Sequence, residues 1–151
     1  MKFLETVFCI VILIAAFQDM KKMKISNGCH ILILILSVIS MLVEAKPEIV
    51  SRLFGILCVS FPMLVITLLY PKAFGGGDIK LIASGGMFLG WKYTLVSFAT
   101  AVVFAGVFVL YLLLKKRVDS KSCFAFGTFL CLGMLVTMLW GEKLINWYFY
   151  L

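Results

Sequence analysis

Apolar residues fill six stretches of this chain, and charged or polar residues gather in the short intervals between them. The stretches run over about Phe3 to Phe17, Cys29 to Val43, Leu53 to Tyr70, Asp78 to Leu89, Tyr93 to Leu114 and Cys123 to Trp140. Each is long enough for a helix, and Pro71 marks the end of the third. A helix needs about 20 mostly apolar residues to cross a hydrocarbon layer about 30 Å thick. The first and fourth stretches are short. The fourth is also glycine-rich, which leaves a re-entrant segment as its alternative. The aromatic tail Asn146-Trp147-Tyr148-Phe149-Tyr150 suits a membrane–water interface. The pattern predicts an all-α, polytopic integral membrane helical bundle of about six transmembrane helices, occupying residues 1–151 as a single domain.

Composition removes the soluble alternative. Hydrophobic residues make up 64% of the chain, against about 45–50% in soluble domains, and the mean hydropathy is +1.14. The net charge of +7 does not point to nucleic acid. The basic residues occur as short clusters between apolar runs, as in cytoplasmic membrane loops. Lys2 stands alone before the first apolar run and Lys21, Lys22 and Lys24 follow it, the reverse of a cleavable signal. That order predicts a retained first span with its N-terminus outside.

Six crossings then put nine basic residues on the cytoplasmic side and five outside, with Lys115-Lys116-Arg117 inside and Arg52 among the outer charges. Lys21, Lys22 and Lys24 would meet anionic headgroups. The five cysteines lie in or beside apolar segments without a Cys-x-x-Cys pair, and read as packing residues rather than metal ligands or disulfides.

Two of the seven acidic residues change the picture. Asp19, in Phe17-Gln18-Asp19-Met20-Lys21, and Asp78, in Gly75-Gly76-Gly77-Asp78-Ile79-Lys80, each adjoin an apolar segment. Ionisable groups near lipid are costly, roughly 2.5 to 3.5 kcal/mol at a helix centre. Two crossings separate them, so both belong to the cytoplasmic face. Alone, Asp19 is an ordinary loop charge and Gly-Gly-Gly-Asp a flexible turn with a helix cap. On one face together, they form a pair able to share one proton.

Such a pair does acid–base work: the ionised member activates water and the protonated one donates to a scissile carbonyl. No metal or cofactor is needed. Gly75, Gly76 and Gly77 can adopt positive φ and leave room for a peptide backbone, a substrate-binding role. Asp78 reads as the N-cap of the fourth helix, and so as the more readily ionised partner. Gly86 and Gly90 have small-xxx-small spacing, which permits close helix packing. Lys80 reads as a snorkelling charge, and His30 stands at the start of the second span with nothing to make it a ligand. Glu44, Glu48, Asp119 and Glu142 read as loop charges.

These residues resemble the type IV prepilin peptidases and their archaeal preflagellin relatives, polytopic aspartic peptidases with a Gly-x-Gly-Asp motif. Gly75-Gly76-Gly77-Asp78-Ile79-Lys80 is similar to that motif and to the Lys that commonly follows it. Asp19, followed by a basic stretch and Ile25-Ser26-Asn27, resembles the first site, an Asp before a basic loop and Ile-Pro-Asn. Phe126-Gly127-Thr128-Phe129-Leu130-Cys131-Leu132-Gly133 is similar to the family's Phe-Ala-Pro-Phe-Leu-Ala-Leu-Gly.

The resemblance covers nearly the whole chain and implies that Asp19 and Asp78 are the catalytic aspartates. Ser26 and Thr128 each stand where the family has Pro, which loosens the backbone there. The paired-cysteine N-terminal region of bifunctional members has no counterpart here, so the chain looks like the short peptidase-only type of tight-adherence (Flp) pilus systems. Zinc and S-adenosylmethionine are then not implied. The implied substrate is a pilin-like precursor: a short basic leader, a Gly at the cleavage site and a hydrophobic helix. The implied location is the cytoplasmic membrane with the active site facing the cytoplasm.

Two other classes compete. Presenilin-like intramembrane proteases share Gly-x-Gly-Asp, but carry Tyr before the first Asp where this chain has Gln18. A small transporter or assembly subunit could use the acidic pair to bind a cation, although the chain shows no internal repeat.

Overall fold

The computed structural model of the chain describes residues 2–43, 47–71, 73–115 and 125–149. Six helices account for nearly all of them: α1 (Lys2–Lys22), α2 (Asn27–Val43), α3 (Ile49–Leu69), α4 (Gly76–Leu89), α5 (Trp91–Leu114) and α6 (Phe126–Phe149). There is no strand among the described residues. The apolar stretches thus become the expected helices, extended at their ends. Cys123, taken as the start of the sixth, and Lys116 and Arg117 of the basic cluster lie outside the described residues.

Four helices, α1, α3, α5 and α6, are long and apolar enough to cross a membrane. The other two are shorter, 17 residues in α2 and 14 in α4. At about 1.5 Å per residue, α4 falls short of the roughly 30 Å hydrocarbon layer. Its surroundings explain how a short helix is accommodated. It packs against α2, α3, α5 and α6, with Leu81 and Ile82 fully buried. Protein, rather than lipid, surrounds most of it.

The helices alternate in direction, so the C-terminal ends of α1, α3 and α5 meet the N-terminal ends of α2, α4 and α6 at one end of the bundle. A core of Phe8, Ile12, Ile33, Met63, Leu81, Leu130 and Met134 fills the space between them. Phe8 of α1 stacks on Phe88 of α4, with ring centroids 4.1 Å apart. Gly86 provides the close approach expected of its spacing. A Cβ on Gly55 of α3 would strike the Gly86 carbonyl, and one on Gly86 would strike that of Gly55. Gly90 plays a different part. At φ 80° it alone separates α4 from α5, a left-handed conformation that other residues adopt at a cost.

At this opposite end Arg52 departs from expectation. It is 1% exposed rather than a boundary charge. Its Nε donates to the Pro47 carbonyl at 3.0 Å and its Nη2 to Ser40 Oγ at 3.1 Å. Nη1 reaches the carbonyls of Met87 at 3.4 Å and Ser37 at 3.5 Å. Guanidinium has five donors in a fixed fork, and here they tie α2, α3 and α4 together.

Candidate active site

Asp19 lies in the last turn and a half of α1. The helix stops where Met23 turns left-handed at φ 49°, its N–H donating to the Asp19 carbonyl at 2.8 Å. The neighbouring Gln18 fixes the turn that follows. Its Oε1 accepts from the Ser26 N–H at 3.1 Å and from Cys29 Sγ at 3.7 Å. Ser26 is not a loosened proline position. It precedes α2 and its Oγ accepts the Gly28 N–H at 3.3 Å, the bond of a helix N-cap.

Asp78 sits one turn into α4, and the N-cap is Gly75. The expectation that Asp78 caps its own helix is therefore corrected: the glycines themselves wind into the helix start, leaving Asp78 as its third residue. Their assumed positive φ is corrected too, since Gly90 is the only left-handed glycine among the described residues. Lacking side chains still matters here. A Cβ on Gly75 would lie 3.2 Å from Asp78 Oδ2, whereas one on Gly76 would meet nothing within 4 Å. One on Gly77 would touch Ile25 at 3.7 Å.

The two carboxylates converge on the start of α6. A Cβ added to Gly127 would lie 2.6 Å from Asp78 Oδ1 and 2.8 Å from Asp19 Oδ2. The two oxygens are therefore no farther apart than those distances laid end to end, close enough to hold one water between them. Both side chains are buried, Asp19 at 4% exposure and Asp78 at 8%.

Thr128 holds one of them. Its N–H donates to Asp19 Oδ2 at 2.8 Å and its hydroxyl to the same oxygen at 3.2 Å. A proline at this position could make neither bond, so the replacement adds a grip. The Phe126 ring lies 5.6 Å from that of Phe74 and 6.4 Å from that of Phe98, seating the α6 terminus against the approach to α4 and against α5. Sequence reasoning named both aspartates but not Gly127, Thr128 or Gln18 as parts of this site. The signal was present for the first two, because their segment was already one of three ordered landmarks.

Residues 6–110 match the type IV leader peptidase family. The chain belongs to this family. The matched region contains Asp19 and Asp78 and ends before α6, so it does not include Gly127 and Thr128. A prepilin leader peptidase/N-methyltransferase of Legionella pneumophila is 36% identical over 75 residues, 49% of this chain and 26% of that protein. One of Bacillus subtilis is 26% identical over 146 residues, 97% of this chain and 59% of that protein. One of Aeromonas salmonicida is 27% identical over 77 residues, 51% of this chain and 26% of its own length. The matches thus span between about a quarter and three-fifths of these relatives. No solved structure matches the chain.

Proposed function

We propose that the chain is a membrane aspartic endopeptidase that removes the leader peptide from pilin-like precursors, with Asp19 and Asp78 as its catalytic pair. The observation that carries this reading is the convergence of the two carboxylates on Gly127, from helices whose intervening crossings bring them to one end of the bundle. Family membership and the printed activity of the relatives support it.

In this mechanism one carboxylate is ionised and takes a proton from the bound water, whose oxygen attacks the scissile carbonyl carbon. The other is protonated and donates to the carbonyl oxygen. The resulting tetrahedral diol collapses as the C–N bond breaks: the leaving nitrogen takes the proton held by the base, and one diol hydroxyl returns a proton to the carboxylate that had donated. Two donors aimed at one oxygen of Asp19 suit it to carry the negative charge. That assigns Asp19 as base and Asp78 as acid, the reverse of the assignment drawn from helix capping. Gly76, open on its outer side, gives the peptide backbone its approach to Asp78.

The pair faces the cytoplasm in this reading. Among the described residues its end of the bundle carries Lys21, Lys22, Lys24, Lys80 and Lys115, while the opposite end carries Lys2, exposed Lys92 and Lys143, and the buried Arg52. That asymmetry follows the positive-inside rule. A basic leader emerging from the bilayer with its hydrophobic helix still embedded would meet the pair there.

The test is co-expression with a precursor carrying a basic, Gly-ended leader and one apolar helix. Asp19→Asn and Asp78→Asn should each leave the precursor uncut while inserting normally into membranes. Near-normal cleavage by either variant would end the two-carboxylate mechanism.

A further inference from the structure

On the other side of α4 from the carboxylates, at the same end of the bundle, α2, α3 and α4 enclose a cavity of about 410 Å³. Its polar lining includes Asn27 and His30 from α2 and Lys80 from α4; Ile31, Leu34 and Ile56 are among its apolar lining. His30 is 5% exposed, yet neither of its ring nitrogens has a hydrogen-bond partner among the described residues. Buried polar side-chain atoms are rarely left so, and this ring lines a space large enough to hold one. Lys80 is exposed, close enough for its charge to act on the His30 ring, and in no ion pair with any described residue. Asn27, the first residue of α2, adds an amide at the same mouth.

The apolar side of the cavity says what kind of molecule enters. Ile31 and Leu34 are 57% and 41% exposed, so they face outward from the flank of an apolar helix. The cavity therefore opens sideways, onto the apolar flank of the bundle, with its cation and orphaned imidazole within about a turn of the N-terminal end of α2. A ligand arriving by that route has an apolar chain and a head that accepts hydrogen bonds and carries negative charge.

We propose that this cavity is a binding site for one anionic phospholipid, its phosphate held by Lys80, His30 and Asn27 and its acyl chain lying along Ile31, Leu34 and Ile56. The polar head satisfies the ring nitrogens that the protein leaves unpaired, and the phosphate neutralises Lys80. The site is separate from the carboxylate pair and needs no proteolysis to be occupied.

The full chain, purified in neutral detergent, would be titrated with phosphatidylglycerol and with phosphatidylcholine and read by native mass spectrometry. One phosphatidylglycerol should bind about five- to tenfold more tightly than phosphatidylcholine, the scale of one lysine acting at a membrane surface. Lys80→Gln, at an exposed position, should erase that preference without loss of helix content. His30→Gln should retain it in part, since an amide can still donate, whereas His30→Leu should not.

Equal affinity for the two lipids, or an undiminished preference in both Lys80→Gln and His30→Leu, would overturn the site. Displacement of the bound lipid by millimolar inorganic phosphate would instead make it a phosphate site, and displacement by a precursor's apolar helix a substrate site. Either result would overturn the lipid assignment. None of these readings depends on whether the protein cleaves anything.

Discussion

The two ends of this bundle bury charge in opposite ways. At one end Arg52 is surrounded by acceptors: three carbonyls and a serine hydroxyl take its hydrogen bonds. At the other, two carboxylates point toward each other, and Asp19 has donors from Thr128 while no described side chain supplies a cation to the pair. A buried cation with each nitrogen answered is a fastener. Two buried carboxyl groups of like charge that share one space disfavour being ionised together, a relation that acid–base chemistry can use. In the proposed function the same bundle keeps one polar centre inert and uses the other for chemistry.

The largest test of the contrast is to neutralise one acid. Asp19→Asn and Asp78→Asn should lower cleavage to background in a precursor-processing assay, with membrane insertion unchanged. Next is Gly127→Ala. Its methyl would lie under 3 Å from both carboxyl oxygens and from Ile25 Cδ1, and a displacement near 1 Å at a reacting centre costs about a hundredfold in rate. Gly76→Ala, with open space around its Cβ, should leave the helix content and melting temperature of the protein unaltered, and so separates crowding from general damage.

Thr128→Val keeps the backbone donor and removes the hydroxyl. A hydrogen bond to a charged group is worth about 1.5–3 kcal/mol at most, and this one is the longer of two, so a roughly tenfold fall in cleavage rate is expected. Thr128→Ser should restore most of it, measured in the same assay. The smallest effect on cleavage belongs to the far end. Arg52→Met should weaken the fold by about 1–3 kcal/mol through unpaired buried carbonyls, seen as a lower melting temperature in detergent. The folded fraction should cleave within about twofold of the unaltered protein, since the two centres are independent.

Much of this was legible in the residue pattern, and the failures have physical causes. Apolar run length gave all six helices, and alternating direction gave the meeting of Asp19 with Asp78. The burial of Arg52 went unseen because counting basic residues treats each one as a surface charge. Burial depends on acceptors in Ser37, Pro47 and Met87, which are carbonyls present at every residue and so invisible in a sequence. Asp78 was read as a cap because an acid after glycines looks like one, but Gly75 takes the extended conformation that starts α4. Ser26 and Thr128 looked like lost prolines. Only the fold shows that the first caps α2 and the second holds Asp19. His30 looked idle because its significance lies in lacking a partner, a property of three helices together.

The brevity of α4 has one more consequence. Fourteen residues reach about 21 Å, against a hydrocarbon thickness of about 30 Å. Gly90 alone joins its far end to α5, so the shortfall falls where Asp78 sits. Helices of 17 to 24 residues pack around α4, so the shortfall is taken up inside the bundle rather than by lipid. Under the proposed function hydrolysis consumes one water per bond cut, and a stunted helix is a simple way to keep that reagent within reach of acids in a greasy protein.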